Sequence, residues 1–109
     1  MRKLSKINNN NDNNTHIPTI TNATLKKFGS RPGKYYIRVE GKDTDGNLSE
    51  IEIKWGDGLR DIISIRGNSY AQNKIHSYVS NGTYFVNAII RDNAGNSIHK
   101  EQSLVVNDF

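Results

Sequence analysis

The residues best equipped for chemistry are four oxygen donors. Asp43, Asp45 and Asn47 alternate within one turn-rich segment, and Asp92 opens another. Oxygen-only ligands that include several carboxylates are what a hard cation such as Ca2+ requires. The pattern is not an EF-hand: Gly46 comes too early, and Lys54 stands where a bidentate Glu is needed. The competing reading is that these residues form turns, because Asp and Asn side chains bond backbone amides two residues on. Ca2+ is therefore the one cofactor the sequence puts forward, with Asp43, Asp45, Asn47 and Asp92 as its candidate ligands.

Other chemistry is poorly supplied. His16, His76 and His99 lack metal-ligand spacing, and His76 reads as a hydrogen-bonding histidine of the core or a loop. The chain has no cysteine, which removes thiolate nucleophiles, thiolate metal sites and disulfides. Asp57, Asp61 and Asp92 could act as acids or bases only beside a nucleophile in a pocket, and no motif of the G-x-S-x-G kind is present. The expectation is a protein that is not an enzyme.

Charge and composition narrow the partners. The 109 residues carry a net charge of +4, with 34% hydrophobic and 24% charged residues. Arg2, Lys3 and Lys6 against Asp12 place half of that charge in residues 1–16. In the remainder, cations alternate with acids, as in Arg38-Val39-Glu40 and Glu50-Ile51-Glu52-Ile53-Lys54. Nucleic-acid binders concentrate cations in a patch or stripe, so no nucleic-acid partner is expected. A membrane span needs roughly 20 apolar residues and a secretory leader an apolar run of about 7–15. Neither is present, so synthesis in the cytoplasm without a membrane anchor is expected.

Residues 8–14 read Asn-Asn-Asn-Asn-Asp-Asn-Asn, a tract that cannot bury enough apolar area to offset its ordering entropy. Residues 1–16 are read as an extended basic tail that could reach about 50 Å. As a docking arm it would use Arg2, Lys3 and Lys6 for charge and Asn8, Asn9 and Asn10 for amide hydrogen bonds to a protein partner.

Residues 17–109 contain the elements that must position the acids. Tyr35, Ile37 and Val39 alternate with Arg38 and Glu40; Ile51, Ile53 and Trp55 alternate with Glu50, Glu52 and Lys54; Tyr84, Val86, Ala88 and Ile90 share a third face. Period two is the mark of a half-buried strand. Ile17 to Thr21, continued by Thr24 to Phe28, fits an edge strand, where Pro18 is tolerated. Further strands are expected over 61–65, 74–78 and 97–106, separated by Gly- and Asn-rich turns. About seven short antiparallel strands predict an all-β sandwich.

Trp55-Gly56-Asp57-Gly58, His76-Ser77-Tyr78, Gly82-Thr83-Tyr84-Phe85-Val86, Asp92-Asn93-Ala94-Gly95-Asn96 and Asp43-Thr44-Asp45-Gly46 occur in that family's order and resemble the signatures of PKD domains, immunoglobulin-like β-sandwiches. Tyr84 resembles a tyrosine corner. The resemblance implies a non-enzymatic module of adhesion, spacing, or carbohydrate or protein binding, and places the Asp43–Asn47 and Asp92 loops near one end of the sandwich. Two settings follow. The first is a bacteriophage virion: a capsid decoration protein made in the host cytoplasm, docked on the major capsid protein or another virion surface by its tail and displaying the sandwich. The second is an adhesion module of a bacterial surface protein or secreted hydrolase, with a cell-surface glycan as its ligand.

Overall fold

The computed structural model describes residues 17–44 and 47–109. Seven strands follow one another: β1 (Thr19–Lys27), β2 (Lys34–Lys42), β3 (Leu48–Lys54), β4 (Arg60–Ser64), β5 (Ser69–Ser77), β6 (Gly82–Asp92) and β7 (Ser97–Val106). They form two antiparallel sheets, β1-β2-β5 and β4-β3-β6-β7. The alternation decides which face is buried. Ile37 and Val39 turn inward from β2, while Ile51, Ile53, Val86 and Ile90 turn inward from β3 and β6, each at most 1% exposed. Such interdigitated inner faces are the core of a sandwich.

Two of the boundaries that differ from the sequence reading have a physical reason. β1 begins at Thr19, so Pro18 precedes the ladder instead of occupying it. This suits a residue with no N–H to donate. β5 begins at Ser69, five residues before the expected Lys74. The stretch Ser69–Asn73 has little β-branched character, yet Lys42↔Ser69 through Arg38↔Asn73 pair along β2. A ready partner strand overrides a weak local preference.

Chain direction sets two poles. One pole carries the start of β1, the β2–β3 loop, the β4–β5 loop and the β6–β7 turn, joined by Asp43 N–H to Asn68 O (2.8 Å), Leu48 N–H to Gly67 O (3.0 Å) and Asn93 N–H to Asn47 O (2.7 Å). The other carries the end of β7. There the Tyr78 amide donates to Gly33 O (2.8 Å) and the Phe109 amide to Asn81 Oδ1 (3.0 Å). β1 thus begins at one pole and β7 ends at the other.

The tyrosine corner is formed: Tyr84 Oη donates to Ser80 O at 2.8 Å. Gly56 is held at φ +87°, and a Cβ there would lie 2.7 Å from Phe85 O. Both the left-handed conformation and the close approach demand glycine. We predict that Tyr84→Phe lowers unfolding free energy by about 1 kcal/mol, one net hydrogen bond. Gly56→Ala is expected to cost more, because strain and a backbone clash add. Urea unfolding of both variants measures the order of these effects.

Candidate functional site

The β2–β3 loop and the β6–β7 turn meet at the first pole. Asp43, Asn47, Asp92, Asn93 and Ala94 line one hollow of about 200 Å3. Three of the four sequence-derived cation ligands, Asp43, Asn47 and Asp92, therefore share a site. The fourth, Asp45, lies outside the described residues, as do the tail residues Arg2, Lys3, Lys6, Asn8, Asn9 and Asn10.

Asp92 also builds its own turn. Its Oδ1 accepts from Ala94 N–H (3.0 Å) and Asn96 N–H (2.8 Å), and its Oδ2 accepts from Asn96 Nδ2 (3.1 Å). Gly95 supplies the positive φ of 90° that closes the turn. Burial at 8% exposure disfavours the Asp92 carboxylate, but the hydrogen bonds from Asn96 and Ala94 outweigh it and hold its pKa below the ordinary value. Asp43 is only 1% exposed. Two buried carboxyl groups and an amide are thus present for a hard cation. Among the described residues no group of three or more His, Asp or Glu side chains gathers for a metal.

The opposite pole holds the most distinctive motif. Trp55 is fully buried, its indole stacked on His76 at 4.6 Å between centroids and 7° between planes. Its Nε1–H donates to Asp61 Oδ2 (2.8 Å), and its carbonyl accepts from Tyr78 Oη (2.8 Å). His76 Nε2–H donates to Asp57 Oδ2 at 2.7 Å, while Asp57 Oδ1 accepts from Leu59 N–H at 3.1 Å. Asp57 thus forms the expected turn and also fixes the histidine. The indole N–H, the Trp55 carbonyl, His76 Nε2, the Tyr78 hydroxyl and both Asp57 oxygens are each matched to another part of the frame, so the cluster supports the fold.

The outer sheet faces differ in a way the sequence did not reveal. On β4-β3-β6-β7, Glu52 is 3% exposed and accepts from Arg60 Nη1 (3.0 Å) and Arg91 Nη1 (2.9 Å); Arg91 Nη1 also donates to Glu50 (2.9 Å). The bonds from Arg60 and Arg91 lower the Glu52 pKa. On β1-β2-β5, strand alternation places Lys26, Lys34, Arg38 and Lys42 around one acid, Glu40. Phe28 (40% exposed), Tyr36, Asn73 and Ile75 (43% exposed) form a hollow on this face. Cations are thus shared between the two sheets, while most of the acids that interleave with them along the chain gather on β4-β3-β6-β7. An outward Tyr36 within an alternating strand was the only sequence signal for this surface.

Asp92 and Glu52 both have lowered folded-state pKa values, so each contributes stability above its unfolded value and loses it as pH falls through the folded one. We predict an unfolding free energy that declines below about pH 4. Asp92→Asn is expected to flatten that decline, as measured by urea titrations between about pH 5 and pH 2.

No family model matches the chain, and no curated protein matches it. Solved structures do. A PKD domain of the Vibrio cholerae metalloprotease PrtV superimposes with a TM-score of 0.59 at 20% identity, covering 77% of this chain and 93% of that one. A PKD domain of Vibrio anguillarum Epp gives 0.61 at 22% identity, covering 85% and 96%. The PKD domain of a peptidase from a Thermoplasmatales archaeon gives 0.63 at 23%, covering 83% and 92%. Together with the Trp55 cluster, the tyrosine corner and the strand order, these superpositions show that the chain folds as an immunoglobulin-like β-sandwich of the PKD type.

Proposed function

We propose that the chain is a non-enzymatic binding module, held at its N-terminal pole and presenting a sheet face to a partner. One observation carries this reading: β1 begins and β7 ends at opposite poles, so attachment at the start of the sandwich leaves the far pole and both sheet faces open. A rigid sandwich with that chain path serves equally as a spacer or a display domain.

Two settings use it. An adhesion module of a surface or secreted protein is supported by the likeness to PKD domains of bacterial and archaeal peptidases. Decoration of a bacteriophage capsid is supported by the basic, amide-rich residues 1–16, with Arg2, Lys3, Lys6 and Asn8 to Asn10 docking on a virion protein. Co-sedimentation of the full chain with bacterial envelope fragments and with phage heads separates the settings. The adhesion setting predicts saturable envelope binding that survives Arg2→Glu, Lys3→Glu and Lys6→Glu together. The virion setting predicts head binding that this triple variant abolishes. Binding to neither would overturn the module reading.

Ca2+ belongs to the same proposal as a brace of the attachment pole, held by Asp43, Asn47 and Asp92 with Asp45. A ligand that binds only the folded state adds about 2.7 kcal/mol at one hundred times its Kd. We predict that Ca2+ raises Tm and that Asp43→Ala removes the increase. A Tm indifferent to Ca2+ would leave Asp43 and Asp92 as turn formers alone.

A further inference from the structure

We propose that the outer face of the β1-β2-β5 sheet binds an acidic polysaccharide, with sugar rings seated on Tyr36 and Ile75 and their acidic groups met by Lys26, Lys34 and Lys42. This rests on the module reading and names the partner's chemistry.

Charge is the first argument. The two outer faces contain similar numbers of cations, but only one is neutralised. Lys54, Arg60 and Arg91 oppose Glu50, Glu52 and Glu101 on β4-β3-β6-β7, where the arginines already hold glutamates at 2.9–3.0 Å. Four cations surround Glu40 alone on β1-β2-β5, and Glu40 is bound by Arg38 at 2.7 Å. Lys34 and Lys42 are eight residues apart on one strand. At about 3.3 Å per residue this is ~26 Å, a length that a polymer spans and a single ion does not.

Shape is the second. Phe28 and Tyr36 meet edge to face with centroids 6.1 Å apart, and Lys34 lies over the Phe28 ring at 5.1 Å. Tyr36 and Ile75 oppose each other across β2 and β5. Tyr36, Ile75, Phe28 and Asn73 enclose a hollow whose surface is mainly apolar. The C–H face of a sugar ring can lie against such a floor.

Hydrogen bonding selects the polymer. Sugar hydroxyls need donors and acceptors together. Arg38, Glu40 and Asn73 together supply them beside the hollow, with Arg38 donating through Nε to Glu40 Oε2 at 2.7 Å and through Nη1 to Asn73 Oδ1 at 3.0 Å. A nucleic-acid strand prefers an unbroken basic groove and several rings for successive bases. Here a carboxylate interrupts the cations, and a lysine covers one of the two rings.

The test is calorimetric titration of the full chain with polygalacturonate, with neutral dextran and a twenty-residue oligothymidylate as comparators. Polygalacturonate is expected to bind, weakening as salt rises, and dextran is not. Lys26→Glu with Lys34→Glu should weaken binding about tenfold or more, whereas Lys100→Glu, borne by the other sheet, changes it less than about twofold. Tyr36→Ala should weaken binding without altering the salt slope. Tighter binding of oligothymidylate, equal loss from Lys100→Glu, or no polygalacturonate binding at about 50 mM salt would overturn the assignment. Envelope binding that persists without polygalacturonate binding overturns this inference and leaves the module reading standing. Absence of binding to polygalacturonate, envelope fragments and phage heads alike overturns both.

Discussion

The fit of Trp55 into the far pole is the constraint on which the rest of the sandwich leans. The indole sits at the end of β3 with no exposed surface. Its N–H reaches Asp61 on β4, its face covers His76 on β5, and its carbonyl receives the Tyr78 hydroxyl. Tyr78 in turn lies 4.3 Å from Tyr84, whose hydroxyl closes the loop before β6. One side chain therefore ties both sheets together. A small domain without disulfides depends on such dense aromatic burial. The same fact explains why the motifs most typical of the fold identify no ligand: their polar atoms already bind one another.

Function is consequently pushed to surfaces that the frame leaves open. The pole where β1 begins gathers Asp43, Asn47 and Asp92, while the acids gather on one of the two sheets. Glu52 illustrates the division. A buried carboxylate is tolerable only when paired, and Arg60 and Arg91 both serve that need. The cost of keeping Glu52 charged neutralises one face. On β2 one acid, Glu40, pairs with Arg38, and Lys34 and Lys42 face no glutamate of their own sheet.

Much of the fold was legible in residue alternation. Ile37 and Val39, Ile51 and Ile53, and Val86 and Ile90 identify their strands because period two allows only one face to be buried. Turn chemistry located Asp57 and Asp92. Three features were not legible, each for a physical reason. The start of β5 at Ser69 depends on pairing with β2, a long-range contact that local composition does not encode. The separation of charge depends on which strands share a sheet, so Arg38-Glu40 and Glu50-Glu52-Lys54 look alike in sequence but lie in different fields. The hollow between Tyr36 and Ile75 needs the register of two strands that are not neighbours in the chain. The candidate cation residues were visible as an alternating loop and a turn-opening Asp92, and the resemblance placed the two loops near one end; the hollow lined by Asp43, Asn47 and Asp92 comes from the fold.

The central claim is that the outer faces of one frame have divergent roles, with β1-β2-β5 open to a partner and β4-β3-β6-β7 self-neutralised. Backbone amide chemical shifts of the 15N-labelled chain, followed while an oligogalacturonate is added, test it most directly. The account predicts shifts concentrated at Lys26, Lys34, Tyr36, Arg38, Asn73 and Ile75, with the Trp55 cluster unmoved. Shifts centred on Glu50, Glu52 and Arg91, or spread evenly over both sheets, would contradict it.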